Sequence, residues 1–134
     1  MEFRLFKPSD VSGVVRLCEQ EKWPSFRDQE RTGRVMTAPG VTTVVAVEDE
    51  TVRGFAQLMS DGEIQAHLSL IAVDADFRRR GIARQLLALA LETAGGQRID
   101  LVTDSASEFY GSFPHFRMEG FRLYPNYKEP PKSN

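Results

Sequence analysis

Cysteine occurs once in the chain, at Cys18, and histidine twice, at His67 and His115. One thiol excludes an intrachain disulfide and a thiolate cluster, and two distant imidazoles do not make a metal site. Long apolar runs are missing as well. None approaches the about 20 residues needed to cross a bilayer. The first residues, MEFRLFKPSD, alternate like a strand and lack the apolar core and small-residue cleavage site of a secretory signal. A cytoplasmic protein with no membrane partner is the expectation. Strong charge of one sign is also absent, because 17 Lys and Arg stand against 19 Asp and Glu for a net charge of −2. Nucleic-acid domains are usually basic, so no nucleic-acid partner is expected. Repeats are lacking, and the terminal KEPPKSN is the one biased stretch. One domain over residues 1–128 with a loose tail at 129–134 follows.

What is present is a chain of 134 residues, 41% of them hydrophobic, long enough to bury about two-thirds of its unfolded surface and to form a core with a cleft. Met1 to Phe6 reads as a strand. Ser9 or Asp10 can cap a helix in which Val11, Val14, Val15 and Cys18 recur at helical spacing. Cys18 then reads as a packed thiol, since no feature that would lower its pKa is visible. Trp23-Pro24-Ser25-Phe26 breaks the pattern, and Arg27 to Met36 forms a second helix stopped by Ala38-Pro39-Gly40. VTTVVAVE and TVRGFAQLMS, joined through Asp49-Glu50, have the composition of an antiparallel hairpin. A third strand, EIQAHLSLIAV, places Glu63, Gln65, His67 and Ser69 on one face and Ile64, Ala66, Leu68 and Leu70 on the other. It then becomes apolar at every position in Leu70-Ile71-Ala72-Val73, which means burial on both faces or a bulge that re-aims the strand.

A helix follows from about Arg80 to Ala94, with Ile82, Leu86, Leu89, Ala90 and Thr93 on one stripe and Gly95-Gly96 at its end. RIDLVT, Arg98 to Thr103, is a further strand, and the strand, helix and strand make a right-handed parallel crossover. Ser105 to Phe113 forms a short helix, and Phe116 to Tyr124 supplies one or two closing strands. The fold class is α/β (α+β), one domain with a mixed sheet flanked by helices.

FRRRGIA, Phe77 to Ala83, occupies the turn between an apolar strand end and a helix start. Such a turn presents free backbone amides and the positive end of the helix dipole, and so favours an anion. Small Gly81 and Ala83 let a phosphate approach the main chain. The segment lacks the GxxxxGK[ST] of nucleoside-triphosphate sites and the GxGxxG of dinucleotide folds.

Arg78-Arg79-Arg80-Gly81-Ile82-Ala83 fits Arg/Gln-x-x-Gly-x-Gly/Ala. With the preceding Leu70-Ile71-Ala72-Val73-Asp74 and the amphipathic helix after it, the stretch resembles the acetyl-CoA motif of the GNAT superfamily of N-acetyltransferases. The order strand, two helices, three strands, helix, strand, helix, strand is similar to that family over nearly the whole chain. The resemblance implies a largely antiparallel sheet with a splayed central strand. It places the pyrophosphate of acetyl-CoA, or of CoA, on Arg78, Arg79, Arg80, Gly81, Ile82 and Ala83 with Arg84 nearby, and the pantetheine arm along the backbone of Ile71, Ala72 and Val73. A backbone amide near Ile71 would polarise the thioester carbonyl.

Thr103-Asp104-Ser105-Ala106-Ser107-Glu108-Phe109-Tyr110 is similar to the family's Asn-x-x-Ala-x-x-Leu/Phe-Tyr. Tyr110 is thereby the implied acid that protonates the CoA thiolate, and Thr103 the implied cofactor contact. Two departures stand out: Thr103 replaces the usual Asn, and Pro114-His115 follows Phe113 where the family has Gly-Phe. A glutamate acts as base in several members at the place of His67, and Glu63 on the same stripe would relay protons through water; the alternative is a solvated sheet face. Trp23 and Phe26 lie where the family walls its acceptor site. The implied reaction is direct attack of a primary amine, on a small molecule or a protein, on the thioester in a ternary complex, with no covalent intermediate. Asp61, Glu63, Asp104 and Glu108 would make a cleft attractive to cations such as polyamines, aminoglycosides or lysine side chains. Family members are often dimers, which makes a homodimer a further implication. The competing reading is a non-catalytic acyl-CoA sensor or interaction module that keeps the cradle.

Overall fold

A computed structural model describes residues 1–132, so Ser133 and Asn134 of the expected tail lie outside the described residues. The elements are β1 (Glu2–Leu5), α1 (Val11–Gln20), α2 (Gln29–Met36), β2 (Val41–Glu48), β3 (Thr51–Ser60), β4 (Gln65–Val73), α3 (Ile82–Ala94), β5 (Arg98–Asp100) and α4 (Ser107–Gly111). The five strands form one sheet in the order β1-β2-β3-β4-β5. Every pairing is antiparallel except β4 with β5. The expected hairpin turn forms at Asp49 and Glu50, with φ of 52° and 60°, the left-handed pair whose twist suits adjacent antiparallel strands.

Both faces of the sheet are covered, which accounts for apolar runs such as Val44-Val45-Ala46 in its centre. On one face, Ile82, Leu86, Leu87 and Ala90 of α3 pack on Val44, Ala46, Ala56, Leu58, Ala66 and Leu68. Leu87 is buried and Thr93 exposed, so the packed stripe of α3 differs there from the expected one. On the other face, Val14, Leu17 and Cys18 of α1 and Met36 of α2 pack on Val45, Val52, Phe55 and Ala72. Each fully buried side chain of this size contributes about 1.5 to 3 kcal/mol. Gly54 of β3 lets α3 approach closely: a Cβ there would lie 3.1 Å from Leu86 Cδ1 and 3.2 Å from the Ala72 carbonyl.

The third strand departs from its expected pattern in two places. Glu63 and Ile64 precede it in a turn, where the Asp61 carboxylate accepts from the amides of Glu63, Ile64 and Gln65. Leu68 then pairs with Leu58 and Leu70 with Gln57, so Ser69 is inserted without a partner on β3. The insertion is a bulge, and it changes which side chains face which helix. Ala66 and Leu68 pack toward α3, whereas Leu70 and Ala72 join the α1 cluster.

β5 is shorter than RIDLVT predicts. It pairs with β4 only at Gln65↔Arg98, Ala66↔Ile99 and His67↔Asp100. Beyond that point the two strands part, and Leu101, Val102 and Thr103 leave the sheet. The closing strands expected over Phe116 to Tyr124 are also not formed: Phe116 is 95% exposed, and Met118, Phe121 and Leu123 are exposed as well. A three-residue β5 offers too short an edge for a strand to pair along, and Pro114 and Pro125 lack the amide donors that would extend one.

Candidate active site

Where β4 and β5 part, a cleft of about 1200 Å³ opens between Leu68–Val73 on one side and Leu101–Ala106 with Phe109 and Tyr110 on the other. From Leu68 onward β4 has no partner on its β5 side among the described residues. The backbone of Ile71, Ala72 and Val73 therefore presents edge amides and carbonyls to a ligand that can lie beside it as a strand.

The cleft ends at the turn into α3. Arg79 has φ of 64° and Gly81 of 76°, a left-handed pair on either side of Arg80 just before the first amides of the helix. Concave backbone of this kind, with the helix dipole behind it, holds anions. Gln85 is the first α3 amide to bond back into the turn, to Gly81 O at 3.2 Å, which leaves the amides of Ile82, Ala83 and Arg84 as helix-start donors.

Asp74 anchors this turn. It is 3% exposed, and its carboxylate accepts from Arg53 at 3.0 Å, from Arg16 at 3.2 Å and from the Asp76 amide at 3.2 Å. Its own amide donates to Arg53 O at 2.7 Å, and its carbonyl accepts from Phe77 N at 2.8 Å. Burial pushes the carboxyl pKa up, but the hydrogen bonds from Asp76, Arg53 and Arg16 outweigh that and hold it below the usual carboxylate value. The turn is thus tied to α1 and β3 before any ligand arrives.

The arginines of the turn separate by neighbourhood. Arg78 lines the cleft and donates to Glu21 at 2.8 Å. Arg79 also lines it. Arg80 does not line it, and its guanidinium lies 4.6 Å from the Phe77 ring centroid, with Arg53 4.5 Å from the same ring. The aromatic ring holds Arg80 by cation–π attraction. Arg84 lines the cleft, donates to Ser112 Oγ at 2.7 Å and sits 4.1 Å from the Phe113 ring centroid. Ser112 Oγ in turn donates to Phe109 O at 2.6 Å, so Arg84 joins the start of α3 to α4.

On the opposite wall, Thr103 Oγ1 accepts from Ala106 N at 3.0 Å and Ser105 N at 3.4 Å. Threonine here orders the turn into α4, a local role that an asparagine could also fill. Tyr110 lines the cleft, its ring 5.0 Å from that of Phe109 in an edge-to-face contact. Burial raises its phenol pKa above the ordinary value. His115 stands outside the cleft, with Nδ1 2.7 Å from Phe113 O.

The remaining expected residues are only partly brought together. Trp23 and Phe26 line the cleft, and so do Glu21, Gln57 and Ser69. His67 and Glu63 do not. His67 is exposed, paired with Met59 on one side and Asp100 on the other, where the sheet is still closed. Glu63 is held in the Asp61 turn, two residues before the strand that was to carry it begins at Gln65. Asp104 lines the cleft, whereas Asp61 and Glu108 do not. Cys18 is buried, and burial with Glu21 nearby pushes its thiol pKa up to about 12, as befits packing. Sequence reasoning missed the anchoring role of Asp74 and the place of Gln57. Ser69 had one signal, as the polar residue interrupting an otherwise apolar strand end.

A GNAT-family acetyltransferase model matches residues 10–112. The chain belongs to the GNAT acetyltransferase family. This acetyltransferase is therefore an acyltransferase enzyme whose characteristic co-substrate is acetyl-CoA. Its open β4 edge and left-handed turn fit an extended thiol arm followed by a pyrophosphate. Among solved structures, it is similar to the aminoglycoside N-acetyltransferase AAC(6')-Iy in complex with CoA, at 18% identity and a TM-score of 0.74, covering 94% of this chain and 99% of that one. It is also similar to an acetyltransferase from Trypanosoma brucei (21% identity, TM-score 0.69, 91% and 99% covered). A third is the ribosomal-protein-alanine N-acetyltransferase from Brucella melitensis biovar Abortus 2308 (17%, 0.72, 92% and 96%). At these identities the likeness concerns the fold. No curated protein is significantly similar to the acetyltransferase in sequence.

Proposed function

We propose that the acetyltransferase moves the acetyl group of acetyl-CoA to a primary amine by direct attack in a ternary complex. One observation carries the reading: the unpaired edge of β4 runs into the left-handed turn at the start of α3, and Tyr110 lines the same cleft. Arg79, Gly81 and the amides of Ile82, Ala83 and Arg84 would hold the pyrophosphate, with Arg78 beside them. The backbone of Ile71 to Val73 would align the thiol arm, and the Ile71 region would supply the amide that polarises the thioester carbonyl. Holding donor and acceptor in one cleft supplies proximity.

The amine nitrogen attacks the carbonyl carbon, the C–S bond breaks, Tyr110 gives its proton to the departing thiolate, and the proton shed by the acylated nitrogen passes to water, from which the phenolate is reprotonated. A phenol with a raised pKa is protonated at neutral pH and keeps that proton until the sulfur takes it. An alkylammonium with pKa of about 10 must first lose a proton. Because His67 and Glu63 stand away from the cleft, either would have to act through water. Trp23 and Phe26 would wall the acceptor, which is a small-molecule or protein amine; the aminoglycoside acetyltransferases of similar fold favour small-molecule amines.

A cytoplasmic setting fits a chain in which no helix among the described residues is long and apolar enough to cross a membrane. A homodimer would cover exposed Phe116 and Met118. A sedimenting monomer at assay concentrations would remove the dimer.

The decisive experiment is an acceptor screen with acetyl-CoA, read by thiol release and by mass spectrometry of the product. Thiol release with an acetylated amine is the expected result. Failure to bind acetyl-CoA at micromolar concentrations ends the reading, and binding without turnover on any amine supports the sensor instead.

A further inference from the structure

Ser69 is the residue inserted in β4 at the bulge, between Leu68 opposite Leu58 and Leu70 opposite Gln57. Its Oγ is buried and has no hydrogen-bond partner among the described residues. Ser69 lines the cleft with Trp23, Ser25, Phe26 and Gln57. A buried hydroxyl left unpaired destabilises a fold, and native structures hold few of them. Alanine would occupy the position without that cost, so the group calls for a partner that the folded chain does not supply.

Geometry separates what the strand backbone and this side chain can serve. The edge amides and carbonyls of β4 lie in the plane of the sheet and suit a ligand placed beside the strand, whereas side chains stand out of that plane. The side-chain amide of Gln57, which stands opposite Leu70, donates to Val35 O at 3.2 Å and is thereby tied to α2. Ser69 is left with a buried, unengaged hydroxyl in the cleft that Ile71, Trp23 and Phe26 also line.

Resting on the N-acetyltransferase reading above, we propose that Ser69 Oγ is the acceptor-amine subsite: it accepts a hydrogen bond from an N–H of a primary aliphatic amine. The nitrogen lone pair is then free to face the thioester carbonyl. The bulge has a functional consequence on this account, because it both parts β4 from regular pairing and brings a hydroxyl into the cleft.

The full chain and its Ser69→Ala and Ser69→Thr variants would be assayed with acetyl-CoA and spermidine, kanamycin and a lysine-containing peptide as acceptors. Acetyl-CoA affinity is measured separately by calorimetry, and Tm by thermal unfolding. Ser69→Ala is expected to lower kcat/KM for the acceptor by about tenfold, leave acetyl-CoA affinity unchanged, and leave Tm unchanged or raised. Ser69→Thr, which keeps the hydroxyl, is expected to recover most of the loss. Wild-type kcat/KM in Ser69→Ala overturns the subsite while leaving the N-acetyltransferase reading intact. A fall in Tm together with acetyl-CoA affinity also overturns it, by making Ser69 structural. A wild-type chain that binds acetyl-CoA and acetylates none of the three acceptors defeats the reading and the subsite together.

Discussion

Arg78 donates to the Glu21 carboxylate at 2.8 Å, joining the turn before α3 to the end of α1. The arginine that opens the motif therefore has a counter-ion inside the cleft already. Glu21→Gln would release Arg78 toward an incoming pyrophosphate. Acetyl-CoA affinity is expected to rise about two- to fivefold at low salt, the scale of a solvent-accessible ion pair, and the gain to fade as salt is added. Titration calorimetry at two ionic strengths measures both effects.

Gly81 tests whether backbone or side chains would do most of the proposed pyrophosphate binding. A Cβ at Gly81 meets nothing within 4 Å, but φ is 76°. The cost of Gly81→Val is thus conformational: about 1 to 3 kcal/mol is needed to hold a β-branched residue in the left-handed region. Acetyl-CoA affinity should fall at least tenfold, and by more than in Arg79→Ala. A larger loss in the arginine variant would overturn the backbone cradle.

Tyr110→Phe keeps the ring that packs against Phe109 and removes the proposed acid. A loss of about 10²-fold or more in kcat with unchanged acetyl-CoA affinity is expected. The pH dependence has a definite sign. The proton must be on the phenol, and burial raises its pKa, so activity governed by Tyr110 persists below the folded pKa and declines only above the ordinary phenol value of about 10. A decline centred well below that value would assign the titration to another group.

Asp74 links pH to stability. Its carboxyl pKa is lowered in the fold, so the unfolded chain binds the proton more readily. Its stabilising contribution is complete above the unfolded value of about 4 and is lost as pH falls through the folded value. Asp10, paired with Arg4 at 2.8 Å, and Asp61, which accepts from three amides, act in the same sense. Asp74→Asn should therefore flatten only part of the acid side of a Tm-against-pH curve. It should also lower Tm at pH 7, because Arg16 and Arg53 lose their shared carboxylate. Calorimetric scans between pH 3 and 7 would show both.

Some parts of this molecule were legible in the chain because they depend on near neighbours in sequence. Asp49-Glu50 turns a hairpin because two consecutive residues adopt the left-handed conformation. Gly95 ends α3 with φ of 77°. FRRRGIA forms a left-handed turn into α3 because a strand end, a glycine and a helix start follow one another. The Leu70 to Val73 run is apolar at each position because α1 and α3 cover opposite faces of it.

Other parts depended on registers between distant segments. Glu63 and His67 share a period with Ser69, yet Asp61 captures the first in a turn and β5 pairs beside the second, while the bulge brings only Ser69 into the cleft. Phe116 to Leu123 carry an apolar content suited to strands, but β5 ends at Asp100 and offers no edge long enough to receive them. The sequence by itself determined the presence and order of the helices, with α2, α3 and α4 each starting two residues later than expected, together with the hairpin and the turn into α3, since local backbone preferences decide those. Only the tertiary structure decided where β4 and β5 part and which polar groups face the gap, since one unpaired residue in a strand re-aims every side chain beyond it.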